Sequence, residues 1–347
     1  MMKEVRIGLV GAGRMGSFHG TSVAHKVHGA KLTAIADPVP GAAVKLAKEL
    51  DIDAKIYTDP KIMFQDSSVD AVLIAAPARS HAGLVIAAAR AGKAVFCEKP
   101  MAVTLKEADR AIEAAREANV PLQVGFNRRF ASGFRAAHNE IVEGRIGTPQ
   151  LLRSLTRDPA LSDPTSIPEW TIFLETLIHD FDTLLYLNPG AKPIEVYAVA
   201  DALVRPEFED QGLLDTAIVT VRFDNGALAI AEANFQALYG YDVRGEVFGS
   251  AGMVTAGGIQ KTNMMRYTAD GISVDTCRRD TELLHDAYIA EVKSFVECVR
   301  SGGKPEVTGE DARNALIVAL ASIKSVQTGR PVKIEEIQLV TEFEWLY

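Results

Sequence analysis

The most constraining feature of the sequence lies within its first 25 residues. A short apolar run, Val5–Val10, passes directly into Gly11-Ala12-Gly13-Arg14-Met15-Gly16 and then into a helix-patterned stretch, Met15–His25. A strand, a G-x-G-x-x-G turn and a helix in that order point to a doubly wound, parallel nucleotide-binding sheet. Gly11 permits the tight turn, Gly13 lets backbone approach a pyrophosphate, and Gly16 allows close helix packing. The N–H groups at the helix start face the anion, so Gly11, Ala12, Gly13, Arg14, Met15 and Gly16 are the candidate phosphate contacts. Asp37 ends the next apolar run, Lys31–Ala36, and stands 21 positions after Gly16. A carboxylate there accepts hydrogen bonds from ribose hydroxyls and repels a 2′-phosphate. Pro38 and Val39 offer no replacing cation, which favours NAD over NADP.

The alternation continues. Ala71–Ala75, Ala94–Cys97 and Leu122–Gly125 read as strands, and Gly41–Leu50, His81–Ala91 and Leu105–Ala118 as helices, with Thr104 and Glu107 a capping box for the last. Beyond residue 125 the pattern turns β-rich. Val196–Ala202, Thr216–Phe223 and Ala227–Asn234 are long strand-like segments, and Asp224-Asn225-Gly226 is a hairpin signal between two of them. Helices return at Asp286–Arg300 and Glu310–Thr328. The expected architecture is an α/β chain of two domains. Residues 1–123 form a Rossmann dinucleotide-binding domain, and 124–347 an α+β substrate and oligomerisation domain with a large, mostly antiparallel open sheet.

Charge and composition narrow the partners. Lys+Arg of 37 against Asp+Glu of 45 gives a net charge of −8, which repels phosphate backbones and argues against nucleic-acid binding. No apolar run approaches the roughly 18–20 residues of a membrane span. No signal-peptide pattern precedes the glycine motif, so a cytoplasmic location is expected. Cys97, Cys277 and Cys298 are too scattered for a disulfide framework or zinc site and fit a reducing compartment.

Two further segments carry candidate chemistry. Glu98-Lys99-Pro100 follows a strand, which places Lys99 at a carboxyl end of the parallel sheet, where ligands bind in this fold. The alternative is a solvated surface lysine. Pro100 stiffens the turn, and a cis bond there would aim Lys99 inward. In Phe173–Leu185, apolar residues cover one helical arc, while Glu175, His179 and Asp182 fall within about 60° of one another on the other side. Asp180 points elsewhere. Two carboxylates flanking an imidazole would raise its basicity, as a general base near neutral pH requires, although a solvated polar face gives the same pattern. Glu175 and His179 could also ligate a metal, but no third ligand is evident and none is expected.

On these residues the chain resembles the Gfo/Idh/MocA oxidoreductase family, and within it the inositol 2-dehydrogenase branch. The similarity spans almost the whole chain. It rests on Gly11–Gly16, Ala76-Pro77-Ala78-Arg79-Ser80-His81, Glu98-Lys99-Pro100, Gly125-Phe126-Asn127-Arg128-Arg129-Phe130, the Ile178-His179-Asp180-Phe181-Asp182 helix and the closing helices. The resemblance implies an NAD-dependent dehydrogenase that oxidises a secondary hydroxyl of a polyol or sugar. His179 would take the hydroxyl proton, and Lys99 would hydrogen-bond the oxygen. It implies a homo-oligomer, dimer or tetramer, packed through the second-domain sheet. Glu175 stands where inositol dehydrogenases usually carry aspartate. Pro77, His81, Glu98 and Lys99 join the candidate cofactor contacts. Lys99, Arg128, Trp170, Glu175 and His179 are the candidate substrate contacts, with a structural ion pair the alternative for Arg128 and a packing or capping role for His81. Phe343, Trp345 and Tyr347 make an aromatic tail that could dock on a neighbouring subunit. Two other functions share these motifs: glycoside cleavage through transient C3 oxidation, and a non-catalytic dinucleotide sensor.

Overall fold

The computed structural model describes residues 4–160, 167–207 and 213–338; the aromatic tail lies outside them. Contact density divides the chain into two units. Among the described residues, the first runs to Asn127 and takes back Asp286–Asn314; the second comprises Arg128–His285 and the residues from Ala315 to 338.

In the first unit, strands β1 (Val5–Val10), β2 (Ala30–Ala36), β3 (Lys55–Tyr57), β4 (Ala71–Ile74), β5 (Ala94–Cys97) and β6 (Leu122–Val124) alternate with helices α1 (Arg14–His25), α2 (Ala42–Glu49), α3 (Pro60–Phe64), α4 (Ala78–Arg90) and α5 (Leu105–Glu117). All pairings are parallel, in the order β3-β2-β1-β4-β5-β6. That order reverses direction beside β1, and ligands of such sheets bind at the carboxyl ends near this switch. Every residue of β4 and β5 is buried, as strands covered on both faces require. Thr104 caps α5 as the sequence pattern predicts, its hydroxyl accepting the Glu107 N–H at 3.2 Å.

The second unit contains α6 (Ser132–Val142), β7 (Pro149–Arg157), a π-helical turn (Ile172–Thr176), α7 (Leu177–Tyr186), β8 (Pro193–Asp201), β9 (Thr216–Phe223), β10 (Leu228–Asn234), β11 (Asp242–Gly249), β12 (Gly252–Gly258), the ribbon β13 (Gln260–Thr268) and β14 (Gly271–Thr276), and α8 (Asp280–Leu283). After α9 (His285–Ser301), helix α10 (Gly309–Thr328) leads to β15 (Val332–Lys333) and α11 (Ile334–Gln338). The seven-stranded sheet runs β12-β11-β7-β10-β9-β8-β15. Its pairings are antiparallel except β7 with β10, which is parallel. The mostly antiparallel expectation therefore holds with one parallel pair. Burial alternates along β9 and β11, so one face of the sheet is packed and the other is open.

One expected boundary is corrected. A single cut after residue 123 assigns α9 to the second domain, whereas nearly all of α9 belongs to the first unit. The reason is packing. Val292, Phe295 and Val296 of α9 join Ile7, Leu9, Ile35, Leu73 and Phe96 in one buried cluster on the parallel sheet. Gln123 Nε2 also donates to the Glu291 carbonyl at 2.8 Å. Without α9 that sheet face would be open to water.

Candidate active site

In the first unit, the glycine turn has three different uses for its three glycines. Gly11 sits at φ +94°, and a Cβ there would lie 2.5 Å from the Ala75 carbonyl oxygen. A Cβ on Gly16 would lie 1.9 Å from the Gly11 carbonyl oxygen, so the helix start packs on its own loop. A Cβ on Gly13 would meet nothing within 4 Å. Gly13 is also the N-cap of α1 and brings no side-chain cap, which leaves the start of the helix dipole without an internal anion. Open space at Gly13 beside an uncapped helix start fits a pyrophosphate.

Asp37 follows β2 and is almost buried. Its Oδ2 accepts the Ala12 N–H at 2.7 Å, and its Oδ1 accepts the Val39 N–H at 2.8 Å. A carboxylate has about four acceptor sites, so two remain for vicinal hydroxyls. The same side chain thus holds the glycine turn to the end of β2.

At the ends of β4 and β5 the candidates divide. The Lys99–Pro100 peptide bond is cis. Pro77 is the N-cap of α4. His81 is buried, with Nδ1 2.7 Å from the Pro100 carbonyl oxygen and Nε2 2.7 Å from the Ala76 carbonyl oxygen. Its ring ties two loops together, the packing role that stood as the alternative to a cofactor contact. Glu98 is buried as well. Its carboxylate turns inward, where Oε1 accepts from His19 Nε2 at 2.6 Å and Oε2 accepts the Lys99 N–H at 3.2 Å. Burial pushes the Glu98 carboxyl up, but the His19 hydrogen bond and the pull of His19, Lys99 and His81 outweigh it and hold the group below the usual carboxylate value.

In the second unit, the helix carrying His179 begins irregularly. Trp170 adopts φ +61°, the π-helical turn follows, and regular helix starts at Leu177. Such widened turns are frequent at functional sites. Between Ile172 and Asp180 every residue is buried except Glu175 and His179, which are half-buried. Those two therefore share the accessible face that the periodicity predicts.

The other two acids are anchors. Asp180 Oδ1 accepts from Arg128 Nη1 at 2.7 Å and from Ser154 Oγ at 2.5 Å, and Oδ2 accepts from Thr156 Oγ1 at 2.6 Å. Arg128 also bonds Thr156 Oγ1. Arg128 is buried in this knot through Nη1 and Nη2, which supports the ion-pair alternative to a substrate contact, while its Nε has no hydrogen-bond partner among the described residues. Asp182 is likewise buried and binds Arg129, with Oδ1 2.6 Å from Nη2 and Oδ2 3.0 Å from Nε. Its carboxylate is thus engaged by Arg129. Buried carboxylates need such partners.

Two features escape sequence reasoning. Asn127 emerges past β6, is buried, and has neither amide atom in a hydrogen bond among the described residues. Buried amides ordinarily find partners, so this one stands out at the carboxyl end of the parallel sheet. The second is a cluster of His19, Glu98 and Glu291, whose donor atoms lie within 4.8 Å of one another. The cluster joins residues far apart in sequence and leaves no local pattern.

Comparison with known proteins agrees with this geometry. Residues 5–126 match the model of an oxidoreductase family with an NAD-binding Rossmann fold, and residues 134–255 match the GFO/IDH/MocA C-terminal domain. The chain is 39% identical to myo-inositol 2-dehydrogenase of Thermotoga maritima, over 96% of this chain and 99% of that protein. It is 36% identical to scyllo-inositol 2-dehydrogenase (NAD(+)) of Bacillus subtilis, over 96% and 98%. Scyllo-inositol dehydrogenase from Lactobacillus casei, solved with NAD(H) and scyllo-inositol, superposes with a TM-score of 0.91 at 30% identity, over 96% of this chain and all of that one. No helix among the described residues is long and apolar enough to cross a membrane. The chain belongs to the Gfo/Idh/MocA family of NAD-dependent oxidoreductases.

Proposed function

We propose that this protein oxidises a secondary hydroxyl of an inositol to the ketone. The supporting observation is that full-length relatives named as inositol dehydrogenases share its fold, while Lys99 and His179 stand at the ends of elements built to present them. When bound, NAD supplies the acceptor for the hydride that leaves the carbinol carbon. His179 takes the hydroxyl proton as general base, and Lys99 donates a hydrogen bond to the oxygen, whose charge develops as the C=O bond forms. Glu175, on the same face as His179, orients the imidazole and contacts substrate hydroxyls, with Trp170 as a wall. The two remaining acceptor sites of Asp37 take the adenosine ribose, and Gly13 takes the pyrophosphate. A net charge of −8 suits a neutral polyol, with cofactor phosphates met by backbone N–H groups. The protein acts in the cytoplasm and associates through the open face of its seven-stranded sheet, as a dimer or as a homotetramer.

Mixing the protein with NAD and a panel of inositols and aldoses, while following absorbance of the reduced nicotinamide, tests the assignment. Turnover on an inositol is expected, and no turnover across the panel removes it. Lys99→Met and His179→Ala should each abolish turnover while NAD still binds.

A further inference from the structure

Three ionisable side chains meet inside the first unit. His19 comes from α1, Glu98 from the end of β5 and Glu291 from α9; His19 and Glu291 are 0% exposed and Glu98 is 5%. Their donor atoms all lie within 4.8 Å of one another. Glu98 is gripped at both oxygens, by His19 Nε2 on one side and by the Lys99 peptide N–H on the other. Glu291 differs: neither of its carboxylate oxygens has a hydrogen-bond partner among the described residues. The surroundings are aromatic, with the Phe96 and Tyr288 rings edge-on to the imidazole at centroid distances of 5.6 and 6.0 Å.

An ionised Glu291 would face two penalties here. It would lose its hydration with no donor in return, and it would repel the Glu98 carboxylate across a low-dielectric space. One bound proton removes both. We propose that Glu291 stands protonated at neutral pH and, with His19, completes a buried clamp on Glu98, which makes His19 and Glu291 positioning residues for Lys99. The proposal rests on the reading of Lys99 as the residue that meets the reacting hydroxyl oxygen.

The electrostatics act in the same direction. Burial, and then the Glu98 charge, push the Glu291 carboxyl well above its ordinary range, while Glu98 is held below it. Two carboxyls in one cluster are thus driven apart, one neutral and one charged. The other groups facing the cluster are few. Lys99 and His81 favour the ionised Glu98. The Cys97 thiol donates to the Glu98 carbonyl at 3.2 Å and is itself pushed up by burial and by the Glu98 charge, so it stays neutral. From α9, Tyr288 sets its ring against the imidazole, and Gln123 of β6 binds the Glu291 backbone carbonyl through its Nε2. The clamp is therefore an anion hydrogen-bonded to an imidazole, with an acid within 4.8 Å of both, and the anion ends on the peptide N–H of Lys99.

Infrared spectra of the full-length protein test the proton directly. The wild type should show a buried carboxylic-acid C=O band at neutral pH that Glu291→Gln lacks. Identical spectra would overturn the proposal, as would stoichiometric divalent metal, found by elemental analysis, that is lost in Glu291→Gln. This readout needs no substrate, so it stands or falls separately from the inositol assignment. Kinetics test the positioning role in any protein that turns over. Glu291→Ala should lower kcat by about 10–100-fold through a displaced Lys99, with NAD affinity unchanged. Glu291→Gln, which keeps the shape and the neutral charge, should recover most of that loss. Equal losses in both variants would show that the carboxylate is needed, and no loss in either would show that the clamp does not position Lys99; each outcome overturns the proposal.

Discussion

Arg128 and Asp180 form an ion pair of 2.7 Å in which both side chains are almost sealed from solvent, at 4% and 0% exposure. The pair fastens α7 to β7 one residue after His179, since Ser154 and Thr156 of β7 bind the same carboxylate. Arg129 and Asp182 repeat the arrangement two residues further on. His179 is thus carried on a helix that is bolted down immediately beyond it. Arg128→Met would strand Asp180 as an uncompensated buried charge. The expected cost is roughly 3–5 kcal/mol, read as a large fall in the thermal midpoint. A raised KM for substrate with an unchanged midpoint would instead return Arg128 to the substrate-binding groups.

The glycine turn separates a folding requirement from a binding one. Gly16→Ala places a methyl 1.9 Å from a backbone oxygen and Gly13→Ala places one in open space. Gly16→Ala should lower the unfolding midpoint, by an overpacking cost of about 1–3 kcal/mol. Gly13→Ala should unfold like the wild type yet bind NAD at least about tenfold more weakly, since its methyl occupies the space a pyrophosphate needs. Calorimetry of binding and of unfolding on the two variants distinguishes these outcomes. Full NAD affinity in Gly13→Ala would place the pyrophosphate elsewhere.

The first sheet was legible because its strands are apolar runs and its helices are amphipathic, so local pattern and tertiary role agree. β7 was not, and Asp180 is the reason. The buried side of Pro149–Arg157 includes Ser154 and Thr156, polar residues kept there to bind a carboxylate, so the strand shows no clean alternation. Its parallel pairing with β10 is likewise a tertiary choice. The period put Glu175, in the π-helical turn, and His179, in α7, on one face, and both are half-buried. It gave no sign that Arg129, 53 positions away from Asp182, binds that carboxylate. Helical spacing records which residues share a face and not which partner waits there. The clamp on Glu98 was invisible for the same reason, its imidazole lying 79 positions upstream.

Opposite pKa shifts in one cluster give the protein a stability profile that two variants can dissect. Glu98 lies below its ordinary value in the folded state, so its contribution is present above the unfolded carboxylate pKa and is lost as pH falls through the folded one. Glu291 is raised, so its contribution is present below the unfolded carboxylate pKa and is lost as pH rises toward the folded one. Over that upper window the wild type should lose up to about 1.4 kcal/mol per pH unit from this group alone. Glu291→Gln cannot ionise, so its thermal midpoint should gain on the wild type steadily as pH rises from the carboxylate range to alkaline values. Parallel midpoint curves would mean that Glu291 titrates normally.

The open face of the seven-stranded sheet carries the prediction about assembly. Leu228 of β10, Leu151 of β7, Phe248 of β11 and Met253 of β12 are direct cross-strand neighbours, and all four are exposed. Val199 of β8 and Ile218 of β9 pair on the same strands' open side. A row of large apolar side chains across four adjacent strands is more than a monomer ordinarily leaves to water, and a flat sheet face suits a second copy of the same sheet. Leu151→Glu combined with Phe248→Glu places two charges in the middle of that row without entering the core. The variant should keep the wild-type circular dichroism spectrum and elute as a smaller species, with its mass by light scattering reduced to that of the single 37.4 kDa chain. An unchanged mass would move the interface off this face. A wild-type protein that is itself monomeric would remove the oligomer altogether.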